Sequence, residues 1–255
     1  MSYRPPQPGR FEWFGPHAPM GFAPRAVRVY LPPDFRPDVP RPALYVFDGQ
    51  NAFGDEGTFS GGWHLHTALD RLDPARYVAP IVFAIPHDPA RRQEELVPWA
   101  MEGRAGEADR FLDWIVHGLI PATRARYPIL PGALGAALGG ASWGGSLALY
   151  GHFRHPHAFG GALCLSPAFW VGNFAVFDWI AAQPTPPISR VYLDCGGREA
   201  EGRMLPPAAE MARRLAARGY GRRQLWWRPD PDGEHTEAFW RRRLPRAVRF
   251  LYRRG

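Results

Sequence analysis

The chain has 255 residues, 45% apolar, 14% aromatic and 22% charged, the composition of a soluble globular protein long enough to bury roughly three quarters of its unfolded surface in one core. Its two cysteines, Cys164 and Cys195, each lie in an apolar run, which excludes a disulfide-rich module and points to two buried free thiols. The net charge of +7 rests wholly on arginine, and the 55 residues from Glu201 onward hold fourteen Arg against six acids.

No repeat or linker divides the chain, so a single domain over 1–255 is expected, with residues 1–24 as an irregular, proline-rich lead-in. No apolar leader follows Met1 and no run approaches the ~18 apolar residues of a membrane span. A cytoplasmic protein without membrane attachment is therefore expected.

From Arg25 to Leu31, Val27, Val29 and Leu31 alternate with polar or aromatic residues, the period-two pattern of a half-buried strand ended by Pro32-Pro33. The runs from Ala43 to Phe47 and from Ile81 to Ile85 read as buried strands. Between Glu107 and Ile120, Phe111, Trp114, Ile115, Leu119 and Ile120 recur at helical spacing, and Pro121 is expected to kink or end that helix. Beyond the apolar stretch Ala133 to Leu138, strand-like segments at Gly160 to Leu165, Arg190 to Cys195 and Gln224 to Trp227 are separated by helical ones around Phe174 to Ala182 and Pro206 to Arg218. Such alternation predicts an α/β fold with a mainly parallel central sheet and helices on both faces, because parallel neighbours need crossover connections.

The sharpest motif is Gly140-Ala141-Ser142-Trp143-Gly144, a G-x-S-x-G between an apolar stretch and a helix-compatible one. A strand that turns abruptly into a helix there would hold the Ser142 hydroxyl exposed, with small neighbours avoiding clashes and the helix N-terminus favouring negative charge. A nucleophilic serine needs a base. In the Ser, acid, His chain order of α/β-hydrolases, only His235 of the nine histidines falls late enough, in the loop from Asp230 to His235. The cluster His152, His155 and His157 straddles a helix end at Pro156 without acids nearby, so it reads as a solvated helix terminus, and no metal is expected. The acid that orients the imidazole is expected after the penultimate strand, where Gly196-Gly197 permits a backbone turn that side-chain-bearing residues resist and so swings Glu199 toward His235; Asp194 within the strand is the alternative. Oxyanion donors are expected from the Trp143 amide and from Asp48-Gly49-Gln50-Asn51, with Gln50 ahead of Asn51. Phe169, Trp170 and Phe174 are candidates for a substrate-pocket wall. Arg241-Arg242-Arg243 reads as a solvated helix face rather than a nucleic-acid site, since no aromatic-interleaved basic groove or zinc spacing accompanies it.

These residues resemble the putative-esterase family of α/β-hydrolases, which includes enterochelin esterases, feruloyl esterases, S-formylglutathione hydrolases and mycolyl transferases. The resemblance runs through Tyr45 to Asn51, Gly62-Trp63, the R-x-x-E-x-x-P stretch of Arg92, Glu95 and Pro98, the Ser142 elbow, Pro156 to Gly160, Ser166-Pro167, Cys195 to Glu199, and Gly233-Glu234-His235 with Trp240. Leu96 stands where an aromatic is common, and no long insertion matches a siderophore or lipid lid. The resemblance implies a cofactor-free serine esterase acting on a small-molecule ester through an acyl-enzyme. An acyltransferase with the same triad, or a non-catalytic binding module on the same fold, are the alternatives.

Overall fold

A computed structural model describes residues 8–18, 21–56, 58 and 60–254. Eight strands and eight α-helices follow in chain order: β1 (Arg10–His17), β2 (Arg25–Leu31), β3 (Ala43–Val46), α1 (Leu65–Asp70), β4 (Ile81–Ala84), α2 (Arg92–Leu96), α3 (Ala108–Trp114), α4 (Ile120–Arg126), β5 (Ala136–Ala141), α5 (Trp143–Arg154), β6 (Gly161–Leu165), α6 (Ala175–Ala182), β7 (Arg190–Gly196), α7 (Leu205–Ala217), β8 (Leu225–Asp230) and α8 (Glu237–Leu251). The strands form one sheet in the order β1-β2-β4-β3-β5-β6-β7-β8. Pairings β1–β2 and β2–β4 are antiparallel and the rest parallel. This is the mainly parallel sheet with helices on both faces that the alternation of segments predicts.

Side-chain alternation divides the core in two. Tyr45, Phe83, Leu138 and Leu193 pack on one face with residues of α3, α5 and α7, while Leu44, Val82, Leu163 and Tyr192 pack on the other against α1 and α8. The central strands read as unbroken apolar runs because both faces are covered.

Three expectations are corrected. Part of the lead-in, Arg10–His17, is a strand paired with β2. It lies at the sheet edge and buries little, with Trp13 64% and Phe11 38% exposed, so backbone pairing rather than an apolar face stabilises it and its sequence pattern is faint. Of the two outcomes expected at Pro121, a kink or an end, the end does not occur. A π-helical turn over Ile115–Leu119 joins α3 to α4, which carries Pro121 in its first turn; widening the turn accommodates a residue that has no N–H to give to the preceding turn. His152, finally, is fully buried rather than solvated, its Nδ1 2.9 Å from the Phe159 carbonyl and its Nε2 2.8 Å from Ser189 Oγ. Both cysteines are free and buried.

Candidate active site

At the carboxyl end of β5 the chain turns directly into α5, and Ser142 at the junction adopts φ 56°, ψ −120°. A non-glycine residue holds this conformation only where its surroundings fix it. Here the Ser142 amide donates to Leu165 O at 3.0 Å, and its carbonyl accepts from the amides of Ser146 and Ala168, both at 3.1 Å. The motif glycines are required by close approach: a Cβ on Gly140 would lie 2.5 Å from the Gly144 carbonyl carbon. Trp143 opens α5, so its amide has no acceptor within the helix.

Glu199 lies in a short turn after β7 and is 1% exposed. One oxygen, Oε2, is 2.9 Å from His235 Nδ1. The other, Oε1, accepts from Ser166 Oγ at 2.5 Å, from the Gly196 amide at 2.8 Å and from Arg243 Nη2 at 3.2 Å. Burial alone would raise the Glu199 pKa, but the hydrogen bonds from His235 and Ser166 and the Arg243 charge hold it below the ordinary range. Ser166 Oγ is fixed in turn by Trp240 Nε1 at 2.9 Å and Arg243 Nη2 at 2.7 Å. Asp194 is also fully buried, yet its carboxylate faces Tyr192 Oη at 2.9 Å, the Ser166 amide at 3.2 Å and Arg243 Nε at 3.5 Å. Of the two candidate acids, only Glu199 is hydrogen-bonded to the histidine. Burial raises the Asp194 pKa despite its arginine neighbours.

The Gly196-Gly197 pair brings Glu199 to this position, though through space rather than flexibility. A Cβ on Gly196 would meet Gly233 O at 2.3 Å, and one on Gly197 would meet Pro231 O at 2.4 Å. The turn's positive φ values fall instead on Ala200, Glu201 and Gly202.

On the other side of Ser142, the loop after β3 makes a single 3₁₀ turn, Gly49–Asn51, preceded by Asp48 at φ 53°. The Asn51 amide closes that turn onto Asp48 O at 2.9 Å; the Gln50 amide lies within its first turn, where helical donors lack internal acceptors. Asp48 is held by Arg92 through Nε–Oδ1 at 2.8 Å and Nη2–Oδ2 at 2.7 Å, and Oδ1 also lies 2.6 Å from His87 Nδ1. Burial opposes ionisation of Asp48, but Arg92 and His87 outweigh it and lower its pKa. The Arg92 guanidinium also covers the Trp143 ring at 4.7 Å. Three residues on in α2, Glu95 is fully buried and pairs with Arg25 at 2.6 Å. The R-x-x-E spacing thus ties α2 to both the loop and β2.

A cavity of about 600 Å³ brings Ser142, His235, Gln50 and Asn51 together, with His87, Arg92, Trp63 and Trp240 also in its lining. The aromatic set is not among that lining. Phe169 is 1% exposed in the core, and Trp170 and Phe174 are exposed on the surface, because the chain beyond Ser166 turns away from the cavity. Arg241 and Arg242 do form ion pairs at the surface, with Asp55 and Asp230. Arg243 departs from the expected solvated face: it is 1% exposed, between Asp194 and Glu199. Its position carried a signal. In α8 it lies three residues after Trp240 and four before Ala247, inside the stripe that continues to Leu251. No local pattern in the sequence marks the positions that His87 and Ser166 take beside Asp48 and Glu199.

The fold recurs in solved structures: BES from Bacillus cereus (TM-score 0.77, 20% identity, 94% of each chain) and the siderophore hydrolase EstA from Aspergillus nidulans (TM-score 0.72, 20% identity, 98% of each chain). The enterobactin esterase FES from Shigella flexneri matches with TM-score 0.73 and 18% identity over 97% of this chain and 59% of its own. These likenesses define an α/β-hydrolase fold. The family described as "Putative esterase" matches residues 23–251, and the chain belongs to it; it is a carboxylic ester hydrolase. In sequence it is similar to YbbA of Bacillus subtilis, an uncharacterized protein, at 24% identity over 89% of this chain and 92% of that protein. It is also similar to the siderophore triacetylfusarinine C esterase of Aspergillus fumigatus, at 32% identity over 54% of this chain and 47% of that protein.

Proposed function

We propose that the chain hydrolyses esters as a serine esterase with Ser142 as nucleophile, His235 as base and then acid, and Glu199 as the orienting carboxylate. The observation that carries this reading is the strained Ser142 in one cavity with a histidine whose Nδ1 meets a buried carboxylate at 2.9 Å. Ser142 Oγ attacks the ester carbonyl and its proton passes to His235 Nε2; Glu199 keeps the proton on Nδ1 and stabilises the imidazolium. The carbonyl oxygen, now an anion, accepts from the amides of Trp143 and Gln50. Collapse breaks the ester C–O bond, and the alcohol leaves with the His235 proton. Water then attacks the acyl-enzyme by the same route, releasing the acid and restoring Ser142. The relatives named for siderophore ester hydrolysis make a siderophore ester the substrate class to test first.

A fluorophosphonate probe should label the chain at Ser142 alone. Ser142→Ala should abolish labelling and lower kcat on an ester panel by on the order of 10⁴ to 10⁶ with unchanged melting. Retained turnover in the pure variant would overturn the assignment.

A further inference from the structure

The lining of the Ser142 cavity contains two carboxylates, Asp48 and Glu237, and one arginine, Arg92. Arg92 holds both oxygens of Asp48, at 2.8 and 2.7 Å, so these two charges cancel within the pair. Against burial, that pairing and then the charge of Glu237 keep the guanidinium ionised. Glu237 has no such partner. It is 7% exposed, accepts from Ser60 Oγ and forms no ion pair among the described residues. As the first residue of α8 it meets the helix dipole, but that supplies only roughly half a positive charge. The lining therefore keeps an excess of negative charge at Glu237. Burying a carboxylate without a counter-ion is costly, and a cation that enters the cavity offsets the cost.

Position decides which part of an ester carries that cation. The alcohol leaves with the His235 proton, so the alcohol portion lies on the His235 side of Ser142, while the carbonyl oxygen points to the Trp143 and Gln50 amides. Glu237 follows His235 by two residues, and Trp240, one turn further along α8, has its ring 4.9 Å from the His235 ring. Trp63 packs edge-on against Trp240 at 6.1 Å, and both rings belong to the lining. Such apolar walls lower the local dielectric and strengthen a contact between charges.

We propose that Glu237 sets the specificity of this cavity, and that the preferred substrates are esters whose alcohol portion carries a protonated amine a few bonds from the ester oxygen. The ammonium donates to the Glu237 carboxylate while the ester carbonyl sits against Ser142. The assignment rests on Ser142 as nucleophile and His235 as base.

Two butyrate esters of matched shape test it: 2-(dimethylamino)ethyl butyrate, protonated at neutral pH, and 3-methylbutyl butyrate, in which a C–H replaces the N–H. The cationic alcohol is also the better leaving group, so the quantity compared between wild type and Glu237→Gln is the ratio of kcat/KM for the two esters. That ratio should fall at least about tenfold in the variant, through a higher KM for the cationic ester. Product inhibition of the wild type needs no variant: 2-(dimethylamino)ethanol should inhibit 3-methylbutyl butyrate turnover with a Ki at least about tenfold below that of 3-methylbutanol. An unchanged ratio, or an equal loss on both esters, would overturn the proposal and leave Glu237 as a stabiliser of the α8 terminus. Equal inhibition by the two alcohols would overturn it as well. Failure of the Ser142 reading is seen separately, as turnover of both esters that survives Ser142→Ala.

Discussion

Two clusters flank Ser142, each joining an arginine, a carboxylate and a histidine, and they are wired differently. In one, Arg243 takes Glu199 Oε1 with a single nitrogen and leaves Oε2 to His235. In the other, Arg92 grips both oxygens of Asp48, so the oxygen that faces His87 is already shared with a guanidinium nitrogen. Bidentate arginine pairing is strong and geometrically rigid, and it leaves Asp48 little negative charge with which to stabilise an imidazolium. A carboxylate beside a histidine is therefore not enough for a catalytic pair; what matters is which oxygen the arginine leaves free. The Asp48 cluster braces the loop that carries Gln50, while in the proposed mechanism the Glu199 cluster orients His235.

Between the two clusters, the largest effect should follow from neutralising Glu199. Glu199→Gln keeps the size of the side chain but removes the charge opposite His235, and kcat should fall by about 10³ to 10⁴ with little change in KM. Single-turnover kinetics on a chromogenic ester would check it. Wild-type kcat in the folded variant would break the distinction between the clusters.

Asp48→Asn should act less on chemistry and more on folding. Losing one partner of a buried ion pair costs roughly 3 kcal/mol, and a loosened Gln50 loop should lower kcat by up to about 10²-fold, comparable to weakening one oxyanion donor. Denaturant titration and kcat measured together decide it. A loss of turnover as large as that of Glu199→Gln at preserved stability would make Asp48–His87 the functional pair.

This difference in wiring explains what could be read from the residues. The elbow, His235 and Glu199 stand out in the sequence through a strand-to-helix turn around G-x-S-x-G, a chain order, and a glycine pair after the penultimate strand, although close approach of another backbone rather than conformational freedom is what that pair provides. The central strands were legible because both faces are buried. The edge strand β1 and the π turn before Pro121 were not, since backbone pairing and local widening leave no periodic mark. Arg243 and His87 escaped for another reason. A charged residue in a helix stripe or a loop histidine gains meaning only from partners 44 and 39 positions away, which no local pattern encodes.

The smallest effect sharpens the comparison through acid stability. Asp48 and Glu199 both have folded pKa values below the ordinary carboxylate range, because their hydrogen-bonding partners outweigh burial. Between its folded and unfolded values such a group binds fewer protons in the native state, so stability rises with pH. Its contribution is complete above the unfolded pKa and is lost as pH falls through the folded one. Asp194, raised by burial, has the opposite sign: just above the ordinary carboxylate range the native state binds the extra proton, and acidification there adds stability. Denaturation midpoints followed from neutral pH into the acid range should therefore fall less steeply in Asp48→Asn and Glu199→Gln than in the wild type, and more steeply in Asp194→Asn. The two clusters, proposed to be unequal in catalysis, should respond alike to acid because each holds its carboxylate ionised. An acid limb in Asp194→Asn shallower than the wild type would mean that Arg243 and Arg246 hold Asp194 ionised as firmly as Arg92 holds Asp48.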